Sequence, residues 1–139
     1  MSYLIDTNVL SEIRKGERCD PAVTRWADAL EPEEWHTSVL VLGEIRRGVE
    51  RIRRRDRSQA RALESWLEQV RLAFAERILE IDQRIADEWG RLGAGDPLPM
   101  VDGLLAATAK VHGLTLVTRN LADVAQTGVS ALDPFKPNS

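Results

Sequence analysis

Cysteine is almost missing from this chain. Cys19 stands alone among 139 residues, which excludes an internal disulfide and any thiolate zinc site. It falls in the polar stretch 16–20 and is expected to be an ordinary loop residue. Histidine occurs only at His36 and His112, and lysine only at Lys15, Lys110 and Lys136, so arginine carries most of the positive charge. No apolar run approaches the roughly 20 residues needed to cross a bilayer. No basic segment leads into an apolar core at the N-terminus, so no export signal is visible. A cytoplasmic protein without a membrane partner is expected. Repeats, linkers and low-complexity tracts are also absent. Residues 1–139 are expected to form one domain, with 43% hydrophobic residues to fill its core.

The net charge of −3 conceals a separation. Between positions 46 and 61, eight arginines face only Glu50 and Asp56, a local charge of +6 that leaves −9 for the rest. Such a field steers a polyanion toward one face. The plainer alternative is a solvated helix end and loop.

Apolar periodicity predicts strands alternating with helices. Tyr3-Leu4-Ile5 is a short buried strand, and Val9, Leu10 and Ile13 continue as a helix. Asp20-Pro21 starts the next helix, with Asp as cap and Pro in the first turn, and Glu31-Pro32 is expected to end it. Residues 35–38 form a second strand, 39–52 a helix with Leu42, Ile45, Val49 and Ile52 on one stripe, and a longer helix begins near Asp56 or Ser58. Residues 78–81 form a third strand, followed by a helix capped by Asp82. A Gly- and Pro-rich loop covers 93–99, and an alanine-rich helix 101–112 closes at Gly113. Strands at 114–117 and 129–132 complete the pattern. This alternation predicts an α/β fold with a mostly parallel, helix-covered sheet. Trp26, Trp66 and Trp89 lie on apolar helical stripes and are expected to pack in the core.

Four carboxylates then stand out. Asp6 ends an apolar strand, where either a helix cap or a site explains it. Glu44 has Leu40, Val41 and Gly48 as turn neighbours, and a buried acid needs a partner. Asp102 opens the alanine-rich helix, and Asp123 follows the fourth strand. Each has a capping or exposed alternative, yet all four map to one edge of one sheet. Carboxylates crowded together resist ionising without a counter-charge. With no Cys, and neither His near these acids in sequence, hard oxygen ligands favour Mg²⁺ or Mn²⁺ over zinc.

Four segments carry a resemblance: Leu4-Ile5-Asp6-Thr7-Asn8-Val9-Leu10; Ser38 with Glu44-Ile45-Arg46-Arg47-Gly48; Leu98-Pro99-Met100-Val101-Asp102 running into Leu105-Ala106-Ala107-Thr108-Ala109; and Leu116-Val117-Thr118-Arg119-Asn120-Leu121-Ala122-Asp123. In this order and spacing the chain resembles the PIN-domain nucleases, and among them the VapC-type toxins of toxin–antitoxin pairs. The resemblance implies a three-layer PIN-like fold with a short sheet of four to five strands. It implies a metal-dependent endoribonuclease acting on tRNA, rRNA or mRNA, with Asp6, Glu44, Asp102 and Asp123 as the acidic site holding one or two Mg²⁺ or Mn²⁺ ions. Asp6 and Asp102 are expected to touch metal directly, and Asp123 directly or through water. Glu44 is either a ligand or the group that orients or deprotonates the attacking water. Thr7, Asn8, Ser38, Thr118 and Asn120 are the supporting polar groups, and Arg119, Arg46, Arg47 and Arg51 are candidates for RNA contact. A small VapB-type antitoxin that covers the crevice, and a homodimer, are the implied partners. Two departures stand out: Val124 follows Asp123 where the family often has an aromatic, and Gly103 follows Asp102 where a better helix former is common, at a cost of about 1 kcal/mol.

Two other readings compete. An Asp-nucleophile phosphohydrolase would want a second acid at position 8, where Asn8 stands, and a suitably placed lysine. A non-catalytic RNA- or protein-binding module would make the acids simple caps.

Overall fold

The structure, a computed structural model, describes residues 1–95 and 98–136. Its centre is strand β1 (Tyr3–Ile5), whose Leu4 and Ile5 are fully buried. β1 lies between β2 (Trp35–Ser38) and β4 (Thr115–Val117), with β3 (Ile78–Leu79) and β5 (Ala131–Leu132) on the edges. The order is β3-β2-β1-β4-β5, and every pairing is parallel. Parallel strands need crossover connections, and among the described residues seven helices supply them. The chain runs outward from β1 to β2 and β3, then returns to the other side of β1 with β4. That reversal places the topological switch point at the C-terminal end of β1, where open parallel sheets form a crevice.

Local chemistry explains the elements around it. Helix α1 (Thr7–Ile13) begins directly after Asp6, whose carboxylate accepts from the Thr7 N–H. Helix α2 (Pro21–Asp28) has Asp20 as its cap and Pro in the first turn, as expected. It ends at Asp28, short of Glu31-Pro32, and Pro32 instead opens a single 3₁₀ turn. Ser38 caps α3 (Val39–Arg53), Asp56 caps α4 (Arg57–Phe74) and Asp82 caps α5 (Gln83–Leu92). Helix α6 (Met100–His112) closes on Gly113, whose φ of +67° is the left-handed conformation that favours glycine. The short α7 (Leu121–Val124) follows β4. Residues 96–97 of the expected 93–99 loop lie outside the described residues.

The outer strands are shorter than their apolar runs suggest. Residues 78–81 contribute only Ile78–Leu79 and residues 129–132 only Ala131–Leu132, because each edge strand pairs on one side alone. Cys19 also departs from expectation. It is buried in the core cluster with Val9, Leu10 and Val23, where a free thiol packs as a small apolar group. Trp26 packs with Tyr3 and Trp35, both at 5.6 Å between ring centroids, as a core residue should. Trp66 is half-buried beneath the Arg14 guanidinium. Trp89 departs from the expected core packing: it is 36% exposed, outside the core cluster, and lies against Gly103. A Cβ at position 103 would stand 3.1 Å from Trp89 Cδ1, which accounts for glycine inside α6.

Candidate active site

At the switch point, Asp6, Glu44 and Asp102 line one crevice of about 360 Å³, together with Thr7, Asn8, Asn120, Arg47, Gly48 and Arg51. Each acid arrives on a different element. The Asp6 N–H bonds to the Val117 carbonyl at 2.9 Å, extending the β1–β4 ladder by one residue and fixing the backbone there. Its side chain accepts from the Thr7 N–H at 2.7 Å and from the Thr118 hydroxyl at 2.8 Å, with a longer contact from the Asn8 amide at 3.4 Å. Asp6 is therefore both the cap of α1 and a wall of the crevice. Glu44 reaches in from the second turn of α3, where the Thr7 hydroxyl donates to its Oε1 at 2.5 Å. Asp102 comes from the first turn of α6. That helix is capped by no side chain, so Asp102 does not serve as its cap.

The electrostatics follow from this crowding. Burial raises the Asp6 pKa above the usual aspartate value, the Thr118 and Thr7 donors oppose that rise, and the Glu44 charge adds to it. Asp102 is pushed up to about 6, first by burial and then by the charges of Asp6, Asp123 and Glu44. Among the described residues Asp102 makes no hydrogen bond or ion pair that would offset this.

The supporting residues sort themselves by contact. Thr118 is buried beneath the crevice and holds Asp6, while its oxygen accepts from the Asn120 N–H at 3.0 Å. Asn8 braces the opposite loop by accepting from the Arg119 N–H at 3.2 Å. Ser38 is fully buried and does not line the crevice; its hydroxyl caps α3 at Leu40, and so sets the helix that carries Glu44. Asp123 is exposed on α7 and outside the crevice lining, although its charge reaches Asp102.

The arginine candidates also divide. Arg47 and Arg51 line the crevice. Arg46 does not, because it is bound to Glu64 and Glu50 on the flank of α3. Arg119 stacks its guanidinium over Phe135 at 4.2 Å. Gly48 lines the crevice without having been marked as a site residue; standing one turn beyond Glu44 placed it on that face. Two further buried acids, Glu12 and Asp133, carry no signal in the sequence pattern. Glu12 binds Lys15 and the Asp20 N–H, and Asp133 accepts from the Phe135 N–H, so both are structural.

Among the described residues no three Asp, Glu, His or Cys side chains converge closely enough to form a closed metal cage. The lining instead offers oxygen donors around an open crevice, two of them resisting ionisation. That donor set fits a hard, hydrated cation of the Mg²⁺ class, which keeps several waters and takes one or two carboxylates.

Comparison with known proteins extends these observations. A family model described as the PIN domain matches residues 3–126. The VapC ribonuclease Y4jK of Sinorhizobium fredii is 33% identical over 142 residues, covering 96% of this chain and 98% of its own. The crystal structure of FitAcB from Neisseria gonorrhoeae superposes with a TM-score of 0.87 at 31% identity, over 96% of this chain and 98% of that one. A toxin–antitoxin complex from Klebsiella pneumoniae does so with a TM-score of 0.70 at 27% identity, over 96% and 98%. With its parallel five-stranded sheet and the acids gathered at the switch point, this chain belongs to the PIN-domain family, among the VapC-type toxins.

Proposed function

We propose that the protein is a metal-dependent endoribonuclease, the toxin of a toxin–antitoxin pair. The observation that carries this reading is the convergence of Asp6, Glu44 and Asp102 on one crevice with Arg47 and Arg51 at its wall. The family relative named a ribonuclease supports the activity, and the structural relative that is a toxin–antitoxin complex supports an antitoxin as partner. A homodimer, and RNA as the substrate, follow from the same family reading.

Asp6 and Asp102 would hold Mg²⁺ or Mn²⁺, with Asp123 contributing from the rim through water. A bound divalent ion supplies neutralisation of the acids, activation of a water and stabilisation of the leaving oxygen. The protein supplies the orientation. Thr118 and the Thr7 N–H hold both Asp6 oxygens in place. Thr7 also fixes one oxygen of Glu44, which would complete the donor set or orient and deprotonate the attacking water. Arg47 and Arg51 offset the repulsion between an acidic crevice and a phosphate chain.

The test is incubation of the purified protein with total RNA and Mg²⁺ or Mn²⁺, with Asp6→Asn as control, and sequencing of the new 5′ ends. New ends are expected only with the unaltered protein and metal. Cleavage that ignores metal, or that Asp6→Asn retains in full, refutes the assignment.

A further inference from the structure

The eight arginines at positions 46–61 fall into two sets. Arg46 and Arg53 share Glu50 and Glu64: Arg46 lies 2.5 Å from Glu64 and 3.5 Å from Glu50, and Arg53 lies 3.1 Å from Glu50 and 3.4 Å from Glu64. This network ties α3 to α4 and uses up both acids. Among the described residues, Arg47, Arg51, Arg54, Arg55, Arg57 and Arg61 pair with no carboxylate.

Those six are contiguous. Arg47 and Arg51 wall the acidic crevice and also line the next groove, with Arg54 and Arg55. Arg54 in turn lines a third and larger cleft of about 590 Å³ with Arg57 and Arg61, and with Arg53, whose guanidinium is already held by Glu50 and Glu64. Glu50 touches both outer clefts, but it is already held by Arg46 and Arg53. From Arg47 to Arg54 the surface runs about 10 Å along α3, at 1.5 Å per residue, before turning onto α4. Mutually repelling guanidinium groups on a linear, solvent-open path suit a chain that presents a phosphate at each step.

We infer that RNA bound at the crevice continues along this track, so that Arg54, Arg55, Arg57 and Arg61 grip phosphates beyond the cleaved bond while Arg46 and Arg53 stay tied to Glu50 and Glu64. This rests on the nuclease reading above. An acidic protein segment is the competing occupant, but a succession of six unpaired guanidinium groups matches the repeating phosphates of RNA more closely.

The experiment compares the unaltered protein with Arg54→Gln/Arg57→Gln, binding a long single-stranded RNA in metal-free buffer across a salt series. The slope of log affinity against log salt is expected to fall by about 1.4 in the double variant, at 0.7 per single-strand contact. Arg46→Gln should lower the melting temperature yet leave the slope unchanged. With Mg²⁺ or Mn²⁺ added, the double variant should cleave a short oligoribonucleotide that reaches only the crevice as well as the unaltered protein does, and long RNA with a raised KM. Equal slopes and equal KM values overturn the track and leave the nuclease reading standing. No cleavage of either RNA by the unaltered protein overturns the nuclease reading, and the slopes, which need no cleavage, still decide the track. A slope unchanged for RNA alongside weakened capture of an acidic partner protein assigns the surface to that partner and also overturns the track.

Discussion

The Thr118 hydroxyl donates to Oδ2 of Asp6 at 2.8 Å, joining residues 112 positions apart across two adjacent parallel strands. This bond favours the charged form of Asp6 against the burial that disfavours it. Thr118→Val removes the donor and also leaves the Asn120 N–H without its acceptor. A loss of about 1–2 kcal/mol in stability is expected. The Asp6 pKa should rise further, moving the midpoint pH for Mn²⁺ binding upward, which calorimetric titration at several pH values will measure. An unmoved midpoint would mean that Thr118 does not tune Asp6.

Asp102 offers a cleaner test of repulsion, because among the described residues it has no hydrogen-bond partner to lose. Its pKa is raised from 3.8 to about 6 in the folded protein. Between those values the folded state keeps a proton that the unfolded chain has released, so metal-free stability falls as pH rises through that window. Asp102→Asn should therefore melt like the unaltered protein near pH 4 and above it near pH 7. Adding Mn²⁺ should reverse that order by stabilising only the unaltered protein. A variant that melts lower at pH 7 without metal would show that Asp102 is structural.

Thr7 links two acids, since its N–H serves Asp6 and its hydroxyl serves Glu44. Thr7→Val keeps the backbone contact and deletes the second one. The expected outcome is a drop in kcat for RNA cleavage larger than the roughly 1 kcal/mol loss of stability. Thr7→Ser should restore both. A Val variant with unchanged kcat would remove Glu44 orientation from the mechanism.

Gly103→Ala sets helix propensity against crowding. Alanine gains up to about 1 kcal/mol in a helix, but its Cβ meets Trp89 at 3.1 and 3.2 Å. Because Trp89 is partly exposed, its ring can swing outward. We expect a stability change of under about 1 kcal/mol with a red shift in tryptophan emission. Unshifted emission with a gained Tm would show that the ring was never constrained.

Much of the candidate site is legible in the sequence because it depends on where strands end. An apolar run stopping at Asp6, a helix stripe carrying Glu44 and an alanine face opening at Asp102 are local patterns, and parallel topology brings them together. What spacing could not reveal was which cation meets which anion. Arg46 and Arg47 are neighbours in sequence, yet one is tied to Glu64 and the other faces the crevice, a difference set by how α3 packs on α4. Ser38 is a supporting group by the family resemblance alone, and its hydroxyl is spent on the start of α3. Cys19 looked like a loop residue because its neighbours are polar, although its own thiol turns inward. Asp123 was placed on the right edge of the sheet, but the helical turn carrying it leaves the carboxyl on the rim.

The central position of β1 sets an order in time. Its partner β4 lies more than a hundred residues further along, so a growing chain carries Asp6 for all of that length without the strand that completes its surroundings. Until Thr118 has been synthesised and β4 has inserted beside β1, the Asp6 N–H lacks its ladder acceptor and the carboxylate lacks its hydroxyl donor. The crevice thus comes into being only after β4 has been made, and a copy that still lacks β4 does not hold it.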